Sequence, residues 1–367
     1  MQKKITPLIS VCLIVFNHER YVAEAITSIL KQTFSNFELI IVNDGSTDKT
    51  EAVINSFQDK RMHYIYQKNQ GPSAALNRAI RHSTGKYLAF LSGDDIWHPD
   101  KLQKQYTWLT AESNRKIIFS HIDFIDDNSG PIAVPWADNL FNQKDSKSRP
   151  EYLRTWFFKG NCLNAGTCLV EKKLILDLGM FNLASLQLQD FDMWIKIISK
   201  YDIYVLPQKL MKYRIRANEM NLSSNKNHLR TSFEWYALAK NIFNAIDIEL
   251  FKESFSDQLK KANFTTKIEY ELEKAFLFLN NELAYIKIIG IEKLFNLLQN
   301  ENILKVSRSE YNFDLPDLYH LTKLNQNIDV SPEYPSKSAN FYQKIINYAY
   351  PVIPKPFLKF YRMFYKT

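Results

Sequence analysis

The chain has 367 residues, of which 46% are hydrophobic and 23% are charged. This balance is typical of a globular protein and excludes a largely disordered chain, and the length allows a large domain together with a smaller one. The formal net charge of +8 suits anionic substrates or an acidic membrane surface. Because no recognisable nucleic-acid motif accompanies this charge, we expect no nucleic-acid partner.

Cysteine usage and hydropathy indicate the compartment. The three cysteines, Cys12, Cys162 and Cys168, lack a Cys-x-x-Cys spacing, which argues against a disulfide framework or a zinc site. The segment before Leu8 is polar, and the apolar run after it reads as a short strand rather than a secretion signal. No stretch reaches the roughly 18 apolar residues that a membrane span needs. We therefore expect a reduced, cytoplasmic protein with at most a peripheral contact at the inner face of the plasma membrane.

Apolar strands alternate with amphipathic helices in the first part of the chain. Strands are expected over 8–16, 37–42, 62–66 and 87–91, with apolar residues at helical spacing in the segments between them. This alternation predicts an α/β fold with a doubly wound, mostly parallel sheet. Another strand is expected over 117–125, and 131–150 reads as a long irregular segment, either a substrate lid or plain surface.

Ligands of such sheets bind outside the carboxyl ends of the strands. This rule selects one group of residues at that edge: Phe16, Asn17, Asp44, Gly71, Asp94 and Asp95. Adjacent carboxylates repel each other, so we expect a cation beside the last two, Mg²⁺ or Mn²⁺ shared with substrate phosphates. The alternative is a solvated acidic turn that caps the following helix. No G-x-G-x-x-G follows the first strand, which argues against a dinucleotide-binding dehydrogenase.

Six segments, taken in order, resemble those of family 2 glycosyltransferases. They read I-S-V-C-L-I-V-F-N-H-E-R-Y-V, Q-T-F-S-N-F-E-L-I-I-V-N-D-G-S-T-D, N-Q-G-P-S-A-A-L-N-R-A-I, S-G-D-D-I-W-H-P-D-K-L, L-G-M-F-N and L-Q-D-F-D-M-W-I-K-I. The resemblance covers residues 1–224. It implies the GT-A-type fold that these enzymes share and inverting transfer of a sugar from a nucleotide donor, most often a UDP-sugar.

The resemblance also implies roles for residues at the sheet edge. Asp44 would accept a hydrogen bond from the uracil ring, and Phe16 would pack against the base, with its neighbours Val15 and Asn17 in the same donor site. Asp94 matches the aspartate that coordinates the divalent cation, Mn²⁺ or Mg²⁺.

The chain departs from the family pattern at this site in two places. Ser92 stands where a first acid is usual, which leaves a ribose or second metal contact in doubt, and Asp95 would support the site. Leu76 stands where many relatives carry an arginine. Asn77 and Arg78 are candidates to compensate, although Arg78 could equally lie on the solvent face of its helix.

Further along, the resemblance makes Asp190 the catalytic base, preceded by Gln189 where the family has a glutamate. Asp190 would take a proton from the acceptor hydroxyl as its oxygen attacks the anomeric carbon, while the cation stabilises the leaving diphosphate. The alternative is an acidic residue favoured only by the helix start. Arg216 stands where relatives often have histidine, and its guanidinium suits a phosphate clamp.

The segments predicted are a catalytic domain over 1–224, a helical region over 225–335 and a basic aromatic segment over 336–367. The helical region would pack on the catalytic domain or pair subunits into an oligomer. Residues 341–367 combine Lys and Arg with aromatic side chains and carry no acid, which suits an anionic membrane surface. The alternative is a C-terminal helix docked on the protein by its aromatic residues.

The predicted function is transfer of a hexosyl or N-acetylhexosaminyl group to a hydroxyl of a glycan or lipid-linked acceptor, in cell-surface polysaccharide synthesis. Two alternatives stay open: a nucleotide-sugar-binding protein with lost or weak turnover, and a nucleotidyltransferase. Against the latter, no G-x-G-type signature with a following arginine and lysine opens the chain. The donor sugar, the acceptor and the linkage depend on loop positions that the sequence does not provide.

Overall fold

A computed structural model describes residues 6–143, 146–217, 221 and 225–324. The basic aromatic segment, including residues 341–367, lies outside these residues. Within them the strands are β1 (Ile9–Val15), β2 (Phe37–Asn43), β3 (Met62–Tyr66), β4 (Tyr87–Ser92), β5 (Ile96–Trp97), β6 (Ile117–Ile125), β7 (Leu169–Glu171) and β8 (Tyr204–Arg214).

Eight helices lie within the predicted catalytic domain in the described part of the chain. They are α1 (Val22–Leu30), α2 (Thr50–Asn55), α3 (Pro72–His82), α4 (Lys101–Thr110), α5 (Pro135–Phe141), α6 (Arg149–Lys159), α7 (Lys172–Asp177) and α8 (Gln189–Ile198). The helical region follows with α9 (His228–Ala239), α10 (Ile248–Phe255), α11 (Lys267–Leu279), α12 (Ala284–Leu297), α13 (Glu301–Tyr311) and α14 (Leu315–Leu324).

The strands of the described residues form one sheet in the order β3-β2-β1-β4-β7-β6-β8-β5. The first four in this order are parallel to one another, and β6 and β8 are also parallel. Strand β7 runs antiparallel to both β4 and β6, and β5 runs antiparallel to β8. The prediction of a mostly parallel sheet is confirmed.

Helices cover both faces of the sheet, which explains why its central strands are almost continuously apolar. Along β1, Cys12 faces a core shared with α3, α6 and α8, whereas Val11 and Leu13 face a second core shared with α1 and α4. Successive side chains of a strand point to opposite faces, so one strand contributes to both cores. This is the doubly wound arrangement that the sequence predicts.

Two local features of the structure differ from the sequence-based prediction. Strand β8 was not predicted, because its sequence Y-V-L-P-Q-K-L-M-K-Y-R carries an exposed polar stretch in the middle, and its pairing with β6 shifts register on either side of His121. The segment 131–150 is not irregular throughout, since it contains α5. Ahead of β7, Ala165–Thr167 form a 3₁₀ turn that leads into the strand.

The helical region packs directly on the sheet-bearing part of the chain. The Phe157 ring of α6 lies 5.4 Å from the rings of Phe243 and Phe278, and one hydrophobic core spans both parts. Of the two predictions for this region, packing on the catalytic part is observed, and pairing of subunits stays a prediction. Among the described helices, none is both long enough and apolar enough to cross a membrane.

Candidate active site at the carboxyl edge of the sheet

The register of the parallel strands brings the predicted edge residues together. Val15 pairs with Asn43, and Ile14 pairs with Ser92, so the residues that follow β1, β2 and β4 leave the sheet side by side. Asp94 and Asp95 are both buried. A pair of carboxylates at this position requires compensating groups close by.

Asp94 is the centre of a polar cluster. Its Oδ1 accepts a 2.6 Å hydrogen bond from the Ser92 hydroxyl, and its Oδ2 lies 3.3 Å from Nε of Arg216 and 3.7 Å from Nε2 of His18. The residue that replaces the usual first acid therefore bonds to the carboxylate itself. Arg216, predicted as a phosphate clamp, lies against Asp94 and brings a positive charge to the cluster.

Asp95 has a supporting position. Its Oδ1 accepts a hydrogen bond from the backbone N–H of Arg214 at 2.9 Å, and the buried Arg214 guanidinium donates to the carbonyl oxygen of Asp94 at 2.8 Å. Burial, followed by the charge of Asp94, raises the pKa of Asp95 well above its usual value. The contacts of Asp95 with β8 suit the supporting role that the resemblance implies.

His18 is a member of the cluster that the sequence reasoning missed. It is buried, and burial lowers its pKa although the charge of Asp94 acts in the opposite direction. A Cβ atom at Gly93 would lie 2.6 Å from His18 Nδ1 and 2.6 Å from Val15 Cγ1, so only glycine allows this close approach. The available signal was the N-H-E-R run directly after β1.

Asp44 follows β2 directly and accepts hydrogen bonds from the connection between β3 and α3. Its Oδ1 accepts hydrogen bonds from Gln67 Nε2 at 2.6 Å and from the Gln70 N–H at 2.9 Å. Its Oδ2 accepts a 2.8 Å bond from the Gly71 N–H, and Gly71 has a φ of 85°. The structure thus brings Asp44 and Gly71 into direct contact, and Oδ2, which accepts one hydrogen bond, can still accept another.

The end of β1 presents one exposed aromatic ring beside two ordered neighbours. Val15 is buried, whereas Phe16 is 43% exposed. Asn17 has a φ of 55°, and its Oδ1 accepts a hydrogen bond from the Thr47 N–H at 2.8 Å. An exposed ring at the mouth of a polar edge offers a flat apolar surface on which a nucleobase can stack.

Asn77 has a different environment from the other predicted donor contacts. It is buried in α3, its Nδ2 donates to the carbonyl oxygen of Phe181 at 2.8 Å, and its Oδ1 accepts from the Phe181 N–H at 3.0 Å. The amide therefore fastens α3 to the segment that leads toward α8. Compensation for the missing arginine at Leu76 gains no support from these contacts.

Asp190 lies in the first turn of α8 and is partly buried. Burial raises the pKa of its carboxyl group to about 7, although hydrogen bonds from its surroundings, led by the Phe191 N–H at 2.7 Å, act in the opposite direction. Gln189, which replaces the usual glutamate, has a buried Oε1 without a hydrogen-bond partner among the described residues. The raised pKa comes from desolvation, so it does not need the missing negative charge.

The residues around Asp94 provide a sparse donor set for a divalent cation. Within the described part of the chain, no group of three or more His, Cys, Asp and Glu side chains is arranged to hold a metal ion. Asp94 offers one carboxylate, and the positively charged Arg216 already lies beside one of its oxygens, Oδ2. A cation at this position fits only if a bound diphosphate supplies most of its oxygen ligands.

Comparison with known proteins identifies the family. Residues 10–175 match the model of Glycosyl transferase family 2. An uncharacterized glycosyltransferase of Methanocaldococcus jannaschii is 32% identical over 60% of this chain and 75% of its own length. The chain belongs to glycosyltransferase family 2. Some relatives are longer: the chain spans 65% of an uncharacterized glycosyltransferase of Rickettsia prowazekii, at 33% identity over 58% of this chain.

Two further similarities are to a named relative and to a solved structure. A candidate teichuronic acid biosynthesis glycosyltransferase of Bacillus subtilis, TuaG, is 28% identical over 66% of this chain and 89% of its own length. The crystal structure of S. aureus TarS in complex with UDP-GlcNAc superposes with a TM-score of 0.56 at 16% identity, over 89% of this chain and 93% of that chain. This superposition confirms the GT-A-type fold.

Proposed function

We propose that this family 2 member is an inverting glycosyltransferase that moves a sugar from a nucleotide donor, most often a UDP-sugar, to a hydroxyl of a glycan or lipid-linked acceptor. Cell-surface polysaccharide synthesis is the proposed setting, because TuaG is named for teichuronic acid biosynthesis and TarS binds UDP-GlcNAc.

The observation that carries the proposal is the position of Asp190 in the first turn of α8, where its carboxyl group is partly buried and burial raises its pKa. Its pKa of about 7 suits a general base at neutral pH, since such a base must be deprotonated yet basic enough to accept a proton from a hydroxyl. In the proposed reaction the acceptor oxygen attacks the anomeric carbon as Asp190 takes its proton. Attack on the face opposite the leaving group inverts the configuration, and no covalent enzyme intermediate forms.

The donor would lie along the carboxyl edge of the sheet. The exposed ring of Phe16 would stack on the base, with Val15 and Asn17 shaping this end of the site. Asp44, held against Gly71, would bond to the uracil ring. Arg216 would hold the diphosphate beside Asp94, and Asp95 would support that segment.

The divalent cation, Mn²⁺ or Mg²⁺, would be held by Asp94 together with phosphate oxygens of the donor. When bound, such an ion stabilises the negative charge that develops on the leaving diphosphate. Because Arg216 is already a cation in this cluster, we expect the ion to contribute less here than at a site with two acids.

The test is transfer from a panel of nucleotide sugars, with and without a chelator, by the wild-type chain and by Asp190→Asn. We expect Asp190→Asn to lose transfer by about 10²-fold or more while nucleotide affinity stays within about twofold. Transfer by Asp190→Asn at the wild-type rate would contradict the assignment of the base. Nucleotide binding without transfer or donor hydrolysis in the wild type would favour the nucleotide-sugar-binding alternative.

A further inference from the structure

One carboxylate of the helical region binds the loop that precedes the proposed base. Glu234, on α9, accepts hydrogen bonds from the Ser185 hydroxyl at 2.8 Å and from the backbone N–H groups of Leu186, Gln187 and Leu188, each at 2.9 Å. Asp190 follows two residues after the last of these. Three successive N–H groups converging on one point form an anion-binding concavity, and here a side chain of the same chain fills it.

The ionised form of Glu234 is the form that these contacts favour. Burial would raise the pKa of Glu234, but the bonds from the Gln187, Leu186 and Leu188 amides and from the Ser185 hydroxyl outweigh burial, so the pKa is lowered. Hydrogen bonds from backbone amides to a charged carboxylate are stronger than those between neutral groups. The loop Ser185–Leu188 is therefore held by charge-assisted bonds.

The same loop contacts the donor edge on its other side. The Ser73 hydroxyl, in the first turn of α3, donates to the carbonyl oxygen of Ser185 at 2.6 Å. A Cβ atom at Gly71 would lie 3.3 Å from Leu186 Cδ1, and the Gly71 N–H bonds to Asp44. The loop thus connects the proposed donor contacts to Asp190.

Helix α9 is itself well anchored to α8. The Trp235 and Phe191 rings stack at a centroid distance of 5.3 Å with an interplanar angle of 21°. The Thr231 hydroxyl donates to Gln187 Oε1 at 2.9 Å. These contacts surround Glu234 on its own helix, so its carboxylate is presented to the loop from a fixed support.

We propose that Glu234 is a positioning residue for the transfer reaction: its carboxylate fixes the loop Ser185–Leu188 and thereby the place of Asp190 relative to the donor edge. The proposal rests on the proposed function. It lies outside residues 10–175, which the family model matches, and it makes the helical region part of the catalytic arrangement rather than only a scaffold.

The test compares Glu234→Gln with Glu292→Gln in the full chain. Glu292 accepts hydrogen bonds from Lys240, the residue that follows α9, at 2.7 and 2.9 Å, so its variant removes a carboxylate from the same helical region without touching the loop. We expect Glu234→Gln to lose hydrogen-exchange protection at 186–188 and to lower kcat by about 10²-fold, with donor KM changed by less than about threefold. We expect Glu292→Gln to keep the wild-type exchange protection at 186–188 and the wild-type kcat.

The pH profile separates positioning from general loosening. If the loop holds Asp190 in its desolvated place, Glu234→Gln hydrates the carboxylate and moves the acid limb of kcat to lower pH, whereas Glu234→Asp restores part of the rate. The proposal would be overturned if Glu234→Gln left amide hydrogen exchange at 186–188 unchanged. It would also be overturned if the variant lost that protection but kept the wild-type kcat and the wild-type acid limb of kcat. Absence of transfer in the wild type would instead overturn the proposed function, and the exchange result would still decide whether Glu234 anchors the loop.

Discussion

At the scale of the residue, Asp190 illustrates how desolvation can replace a neighbouring charge. Its pKa of about 7 arises first from burial, and Gln189 beside it carries no charge. A carboxylate next to a glutamate would have its pKa raised further. The site therefore reaches a pKa suited to neutral pH with one acid where the family pattern has two.

This property predicts a pH profile. The proposed base would work in its deprotonated form, and the deprotonated fraction rises with pH, so kcat/KM should increase about tenfold per pH unit below the pKa and level off above about pH 8. The measurement is donor-limited transfer between pH 5 and 9, with buffer ionic strength held constant. An acid limb at about pH 4, the range of an exposed carboxylate, would show that burial does not control the pKa of Asp190.

Arg216 gives a second prediction at this scale. Its guanidinium lies beside Asp94 at the strand edge, where a bound diphosphate would bring two to three negative charges. We expect Arg216→Ala to weaken binding of UDP by about tenfold, or about 1.4 kcal/mol, measured by titration calorimetry with a chelator present.

Lys209→Ala is the matched control for Arg216→Ala. Lys209 is a cation of β8, the strand that ends two residues before Arg216, but its ammonium pairs with Asp123 at 3.3 Å. This variant should leave UDP affinity within about twofold, since Lys209 pairs with Asp123 and Asp138 rather than with Asp94. Equal UDP affinity in Arg216→Ala and the wild type would contradict the proposed role of Arg216 as a phosphate clamp.

At the scale of the element, one amide of α3 makes two hydrogen bonds to Phe181, in the chain after α7. Asn77 is buried and bonds to both the N–H and the carbonyl oxygen of Phe181. We expect Asn77→Ala to lower the free energy of unfolding by about 2 kcal/mol, because two buried backbone groups lose their partner. The measurement is urea unfolding followed by circular dichroism.

Arg81 provides the comparison on the same helix. It is exposed, so Arg81→Ala should change the free energy of unfolding by no more than about 0.5 kcal/mol. If Asn77→Ala were as stable as Arg81→Ala but bound UDP more weakly, Asn77 would act in donor binding, as the sequence reasoning proposed, rather than in stability.

At the scale of the whole molecule, the helical region and the sheet share one core. Trp235, Phe243 and Phe278 pack with rings of α6 and α8 in the same hydrophobic cluster. Burial of apolar surface is the main favourable term in folding, and large aromatic side chains contribute much of that surface. The boundary predicted at residue 224 thus separates two segments of sequence that bury each other's apolar surface.

We therefore expect a chain ending at residue 224 to fail as an independent unit. It should aggregate or lack cooperative unfolding, because the apolar faces of α6 and α8 would be exposed, whereas a chain ending at residue 338 keeps every described residue and should unfold cooperatively. Size-exclusion chromatography and thermal unfolding of the two truncations provide the measurement. A soluble, cooperatively folded 1–224 would show that the catalytic domain stands alone.

The truncation at residue 338 also serves the membrane prediction for 341–367. If that segment binds anionic lipid, the full chain should cosediment with vesicles containing phosphatidylserine and the truncated chain should not, with the difference lost at high salt. Equal sedimentation of the two chains would favour the alternative of a docked C-terminal helix.

Much of the fold was predictable because its signals are local. The apolar run of β1 and the helical spacing of α1 and α3 each lie within a dozen residues, and the order of strands and helices predicts the doubly wound sheet. Strand β8 escaped prediction because its polar middle breaks the apolar pattern, and its pairing with β6 and β5 makes it a strand.

The sequence alone determined the α/β architecture and the residues that leave the strands at the carboxyl edge, since periodicity and chain order decide both. Only the tertiary structure decided which partners those residues meet. Arg216 lies against Asp94, and Glu234 accepts hydrogen bonds from the backbone amides that precede Asp190. In both contacts the two partners are far apart in the sequence. Such contacts leave no periodic mark in a sequence, because they depend on how whole elements pack against one another.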